Sequence, residues 1–190
     1  MSTGASNSRS DFPVKKAISE MRKKVLMLGE MAVGKTSIVR RMVLGRFESD
    51  YKGTIGHDIF VYNLAGLGAA GDETMDLVIW DTDGGLGTAV YRQDSATKGA
   101  AAVIIVGDVT RPRTLGTMAE LAKECDHYLP ARHVHFLFNK VDLLGEITNI
   151  DMPPELAALP HASLNTSAKS GKNVEAAFRD VANAILRRGL

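Results

Sequence analysis

The stretch "GEMAVGKT", Gly29 to Thr36, follows the apolar run "KVLML" and leads into "SIVRRMVLG". It fits G-x-x-x-x-G-K-[ST] without a mismatch, and it lies where that pattern has meaning, between a predicted strand and a predicted helix. A glycine-rich turn ahead of a helix would explain the glycines alone, but not the strand, the spacing and the Lys-Thr pair together. The glycines let backbone N–H groups curl around phosphates at a helix N-terminus, where the peptide dipoles favour anions. Gly29, Glu30, Met31, Ala32, Val33, Gly34, Lys35, Thr36 and Ser37 form the expected phosphate-binding set. Within it Lys35 is placed to reach the β- and γ-phosphates, and the Thr36 hydroxyl to bind Mg²⁺. The stretch implies a nucleoside triphosphate and leaves the base open.

Around this motif short apolar runs alternate with longer amphipathic ones. "KVLMLG" reads as a buried strand and "GKTSIVRRMVLG" as a helix ending at Gly45. "HDIFVYNL" and "TMDLVIWD" read as two strands joined by a hairpin loop, "AGLGAAGDE", from Ala65 to Glu73. "AAVIIVGD", "HVHFLFN" and "ASLNTS" read as three further strands, with "RTLGTMAELAKECDHYL" helical between them. Val174, Phe178, Val181 and Ile185 make one stripe on a last helix. The alternation argues for an α/β layered domain with a mostly parallel sheet, whose ligands bind beyond the carboxyl ends of the strands.

Composition sets the outer bounds. The chain has 190 residues, 45% hydrophobic and 24% charged, as expected of one soluble globular domain. A net charge of +1 gives no sign of nucleic-acid binding. The single cysteine, Cys125, fits a reducing compartment. No secretory signal or membrane span is expected, position 2 is not glycine, and the closing "ILRRGL" offers no cysteine to prenylate. Residues 1–21 are expected to be a disordered tail, rich in Ser, Thr, Gly and Asn, with at most a weak membrane contact through its basic part. Residues 22–190 would be the folded domain, a cytoplasmic monomer.

Two loops bear on the base. "FNKVDL" places Asn139, Lys140 and Asp142 directly after a strand. An aspartate there can accept from N1–H and the exocyclic amine of guanine, whereas adenine offers no such donor pair. The Lys140 stem can cover one face of the base. "NTSAKSG" supplies Ser167, Ala168 and Lys169 after the next strand, where a backbone N–H can donate to the guanine O6. Alone N-K-x-D is weak. In the order phosphate loop, D-x-x-G, N-K-x-D, S-A-K it is not.

With that order on the page, the chain resembles a small GTPase of the Ras superfamily, closest to the Rab branch. The phrases that carry the likeness are "GKTSIVRR", "TIGHDI", "WDT", "VGDVTRPRTL", "NKVDL" and "TSAKSG". The resemblance implies a six-stranded sheet flanked by five helices, in agreement with the strands read above, and a switch between GTP and GDP forms that uses Mg²⁺. It implies that Thr54 binds Mg²⁺ through its hydroxyl and the γ-phosphate through its N–H. Phe47 would brace the guanine, Tyr51 close over the phosphates, Asp81 hold Mg²⁺ through water, and Gly84 donate its N–H to the γ-phosphate. The expected catalytic set is Lys35, Thr54, Gly84 and Gly85. An effector, an exchange factor and an activating protein are the implied partners. Without a prenylation site the chain would be a soluble eukaryotic outlier or, the preferred reading, a prokaryotic Rab-like protein.

Departures from the family pattern bear on chemistry. Gly85 stands at the position of the water-orienting glutamine and Leu86 at that of a glutamate, so one part of phosphoryl-transfer catalysis lacks its side chain. Met31 stands where the family has a small residue, in the path of the attacking water or an incoming arginine. Asp83 puts a carboxylate near a polyphosphate, either to orient water or to repel the γ-phosphate. Arg92 and Gln93 are further candidates for the missing role, on a following helix. Of the Rab effector-facing aromatics only Trp80 is clearly kept, with Ile59 at the usual phenylalanine. Two functions remain open: a switch with slow intrinsic hydrolysis that depends on a partner, and a GTP-loaded binding module without turnover. An ATP-using phosphate-loop enzyme is disfavoured by Asp142.

Overall fold

In the computed structural model, which describes residues 21–48, 54, 56–145, 150 and 152–190, the run ahead of the phosphate motif is strand β1 (Met21–Leu28). Its side chains divide by alternation: Val25 and Met27 face one apolar layer, Leu26 and Leu28 the other. A strand covered on both faces requires this pattern. The chain continues through α1 (Lys35–Leu44), β2 (His57–Leu67), β3 (Glu73–Thr82), α2 (Asp94–Thr97), β4 (Ala100–Asp108), α3 (Pro112–Tyr128), β5 (His133–Asn139), α4 (Pro154–Ala157), β6 (Ala162–Asn165) and α5 (Val174–Arg188). Short 3₁₀ stretches cover Gly87–Arg92 and Val141–Leu143.

The strands form one six-stranded sheet in the order β2-β3-β1-β4-β5-β6. Only β2 runs antiparallel to its neighbour; the other pairs are parallel. With five α-helices among the described residues, the expected architecture holds. On one face α1 contributes Ile38, Val39 and Met42, and α5 the expected stripe of Val174, Phe178, Val181 and Ile185. On the other, α3 contributes Leu115, Met118, Leu121 and Cys125. Because β1 lies between β3 and β4, the connections diverge at its carboxyl end and open a crevice there, where the phosphate motif begins.

The structure moves three boundaries. β1 takes in Met21, which pairs with Met75, and Arg22, whose guanidinium meets the Asp76 carboxylate at 3.3 Å. Residues 1–20, and with them the expected tail and its membrane contact, lie outside the described residues. The hairpin loop is shorter than expected, because β2 runs on to Leu67 and β3 starts at Glu73. Gly66, at φ +71°, gives the strand a bulge between Ala65 and Leu67 that turns Leu67 into the core. Arg179 of α5 donates to Ala65 O at 2.9 Å and Gly68 N–H to Asn183 Oδ1 at 2.9 Å, fastening this end to α5. Finally, Arg92 ends a 3₁₀ stretch and Gln93 caps α2; both are exposed. Among the described residues no helix is long and apolar enough to cross a membrane.

Candidate functional site

The phosphate loop is held by its carbonyls. Lys35 Nζ donates to Gly29 O and Glu30 O, each at 2.9 Å. Arg111 Nη2 donates to Met31 O at 2.8 Å, Lys140 Nζ to Ala32 O at 2.8 Å, and Asn139 Nδ2 to Val33 O at 2.9 Å. Five successive carbonyls are thus turned outward onto cations and an amide. Such a loop presents its N–H groups on the opposite, concave side, which is an anion nest. Gly34 makes this closure feasible: at φ +100°, with Asn139 Nδ2 only 2.3 Å from where a Cβ would stand, no other residue fits.

Lys35 is buried, and burial pulls its ammonium down to about 8, against the attraction of Asp81, Asp83 and Glu30. Thr36 Oγ1 donates to Asp81 Oδ2 at 2.5 Å and lies 3.0 Å from Thr54 Oγ1. Asp81 is fully buried, and its Oδ1 finds no partner among the described residues. Burial pushes its carboxyl up to about 6, against the Thr36 hydrogen bond and the Lys35 charge. Convergent hydroxyl and carboxylate oxygens, one of them orphaned, are a hard donor set that suits a small divalent cation. Gly84 closes the corner. A Cβ there would lie 2.4 Å from Met31 N and 2.6 Å from Glu30 O, so the segment after β3 packs directly on the phosphate loop.

A cavity of about 700 Å³ runs from this corner to the loops after β5 and β6. Ala32, Gly34, Thr36 and Ser37 line one end with Met31, Thr54, Asp83 and Gly84; Phe47, Asn139, Lys140, Asp142, Ala168 and Lys169 line the other. Asn139 Oδ1 accepts from Ala168 N–H at 3.1 Å, and Ser167 Oγ donates to Asp142 Oδ1 at 2.6 Å. The loops after β5 and β6 are therefore cross-braced to each other. Lys140, in the left-handed region at φ +69°, also pairs with Asp108 at 2.7 Å, stretching its stem along the cavity wall.

Not every expected site residue reaches the wall. The Glu30 carboxylate turns away to α3, where Arg113 meets both oxygens at 3.2 and 3.3 Å and Thr117 donates at 2.7 Å. Burial raises its carboxyl, but Thr117 and Arg113 outweigh this and leave it below the ordinary range. The Val33 side chain is buried in the core, so it and Glu30 have only backbone to offer a phosphate. Gly29 and Ser167 also stand behind the wall, Asp81 lies beneath it, and Gly85 is exposed beside Asp83 and does not itself line it. Tyr51 lies outside the described residues.

Sequence reasoning missed Arg41, whose Nε donates to Ala168 O at 2.8 Å and whose Nη2 reaches Lys169 O. It also missed the Arg111, Arg113 and Thr117 clamp. The one signal available was the charged Glu30 inside a glycine-rich loop, which demands a partner somewhere.

A family model described as Ras family matches residues 24–187. The chain is 33% identical over 180 residues to the Ras-related protein Rab7 of Drosophila melanogaster, covering 86% of this chain and 80% of that protein. It is 33% identical over 182 residues to the Ypt/Rab-type GTPase ypt7 of Schizosaccharomyces pombe, covering 86% and 82%. With the Saccharomyces cerevisiae Ypt/Rab-type GTPase YPT7 it shares 29% over 184 residues, covering 87% and 82%. An anion nest, a convergent set of hydroxyl and carboxylate oxygens and two cross-braced loops meet in one cavity, and the likeness spans nearly the whole domain: the chain belongs to the Ras family and is a Rab-like small GTPase.

Proposed function

We propose that the cavity takes GTP or GDP with the base between Phe47 and the Asn139–Asp142 and Ser167–Lys169 loops, and the phosphates in the nest of residues 29–37. The chain is a GTP-binding switch that hydrolyses GTP. Asp142 carries the guanine assignment. It lines the cavity with one oxygen steadied by Ser167, so the carboxylate is pre-aimed and pays little ordering entropy on binding. Lys35 and the loop N–H groups neutralise the phosphates. Thr36, Thr54 and Asp81, the last through water, are the residues that would hold Mg²⁺, which when bound offsets the charge on the β- and γ-oxygens. Gly84, packed on the Met31 and Glu30 backbone, gives a γ-phosphate a direct lever on the segment after β3.

Intrinsic turnover is slow in this reading and rises with an activating partner. The supporting observations are Gly85, which has no side chain, and Met31, which is 55% exposed at the cavity mouth. The module without turnover is not favoured, since relatives matched along the domain are Ypt/Rab-type GTPases. Nucleotide extracted from the purified protein tests the base: adenine nucleotide would sink the assignment. Asp142→Asn is expected to weaken GTP by about 10²-fold, two charge-assisted hydrogen bonds being worth roughly 3 kcal/mol together. The same change should admit xanthine nucleotides, because donor and acceptor exchange; an unaltered base preference refutes the role given to Asp142.

A further inference from the structure

Three carboxylates line the cavity, and two of them are engaged elsewhere. Glu48 is paired with Arg40 at 2.7 Å and Arg46 at 3.1 Å, and Asp142 belongs to the base end. Asp83 stands at the phosphate end, close enough to Lys35 to favour its charged form. Its backbone N–H donates to Gly56 O at 2.8 Å, and its Oδ1 accepts from Gly85 N–H at 2.8 Å. A Cβ built on Gly85 would lie 3.4 Å from Asp83 Oδ1 and 3.9 Å from Cγ and Oδ2. The carboxylate therefore borders the space in which a residue-85 side chain would start. Arg92 and Gln93, the other candidates, are absent from the cavity wall, and Arg111 is committed to Met31 O and Asp108.

We propose that Asp83 orients the attacking water in GTP hydrolysis, in place of the side chain that Gly85 lacks. The inference rests on the GTPase reading above. An ionised carboxylate only accepts hydrogen bonds, so it takes one from the water and aims the oxygen lone pair at the γ-phosphorus. The water oxygen bonds to that phosphorus, and the bond to the β–γ bridging oxygen breaks, its electron pair staying on GDP. Both water protons leave on inorganic phosphate. No other reactant is consumed. Two bonds hold the group in place, Gly56 O on its backbone and Gly85 N–H on its side chain, so little reorganisation is left for the reaction. The repulsion between a carboxylate and a γ-phosphate is offset by Lys35, which lies near both.

The test pairs single-turnover phosphate release from preloaded GTP with the release rate of a fluorescent GDP analogue. Asp83→Ala is expected to slow hydrolysis by about 10²-fold, the order for misplacing a reacting group, and to leave nucleotide release unchanged. Adding Gly85→Gln to Asp83→Ala should restore the rate, since the glutamine side chain starts in the vacated space. If the alanine variant does not fold, Asp83→Asn carries the same expectation, its amide oxygen being a far weaker acceptor. Hydrolysis that is unchanged or faster in whichever variant folds overturns the assignment, as does a double variant no faster than the single one. A wild-type protein that releases no phosphate sinks the GTPase reading and this assignment with it; an unaltered variant sinks the assignment alone.

Discussion

The two walls at the Met31–Gly84 end of the cavity are built in opposite ways. The phosphate loop has five consecutive carbonyls tied to Lys35, Arg111, Lys140 and Asn139, and its Glu30 side chain clamped by α3. The segment after β3 has little comparable. From Asp83 to Gln93 most of its bonds are local turns, such as Ala89 N–H to Leu86 O at 3.0 Å; it is tied to the rest by Asp83 N–H to Gly56 O and Tyr91 OH to Leu121 O, each at 2.8 Å, and by the burial of Val90 and Tyr91. One wall of the cavity is fixed before nucleotide binds, and the other is free to answer what has bound. A switch needs this inequality: with both walls rigid the two nucleotides would look alike from outside, and with both loose neither would bind well.

Alanine placed at three sites should break this contrast in order of severity. Gly34→Ala attacks the rigid wall where φ is +100° and Asn139 leaves no room, so strain and overpacking add to about 4 kcal/mol. Nucleotide affinity should fall by roughly 10³-fold in equilibrium titration, at that energy. Gly84→Ala strikes the junction, where the added carbon would overlap the Met31 and Glu30 backbone. Nucleotide should still bind, but the 83–97 amides should exchange hydrogen faster, because the segment can no longer lie on the loop. Protection unchanged from wild type would show that Gly84 does not dock.

A pH titration separates this local contrast from stability of the whole domain. Burial, with nearby His135, Arg188, Arg187 and His161, pulls the His133 imidazole down to about 4, and burial lowers His135 and His161 as well. The His133 imidazole stays neutral in the folded chain where an unfolded histidine takes up a proton, below about 6.5. Stability is therefore complete above that value and is lost as pH falls from about 6.5 toward 4. At pH 5 the His133 share of the loss should be about 2 kcal/mol, or roughly 4–8 °C in Tm for a chain of this size, partly offset by Asp81, whose raised carboxyl takes up a proton over the same range. A His133→Asn variant whose Tm falls as much as the wild type's between pH 7.5 and 5 contradicts it. The smallest effect belongs to Glu30→Ala, which frees the loop from α3. An exposed Arg113 limits its worth to about 1 kcal/mol, read as a several-fold faster nucleotide release.

The parts legible in advance were those whose chemistry is local in sequence. The strand, the "GEMAVGKT" loop and the helix are contiguous, so one motif specified the nest, and the short apolar runs of β4 and β5 specified buried strands in a sheet covered on both faces. The clamp was not legible, because Glu30 meets Arg113 and Thr117 from 83 and 87 residues away, and no spacing rule links them. Arg41 is hidden for the same reason, with its carbonyl partner 127 residues on. The hairpin was misjudged for a different one. Gly66 and Ala65 look like loop residues, yet a bulge uses the glycine to continue the strand and bury Leu67. Asp83 was visible as a departure, but only its contact with Gly85 gives the departure a direction.

The chain holds a single tryptophan, Trp80 on β3. On it stacks the His57 ring, with centroids 4.6 Å apart, from the strand that follows Thr54. The Lys24 ammonium lies 3.6 Å from the indole centroid and also donates to Ser95 O at 2.8 Å, beside α2. One fluorophore thus touches His57, close after Thr54, and Lys24, which reaches on to Ser95. Its emission is therefore expected to change when GDP is exchanged for GTP, a readout on unlabelled, unaltered material.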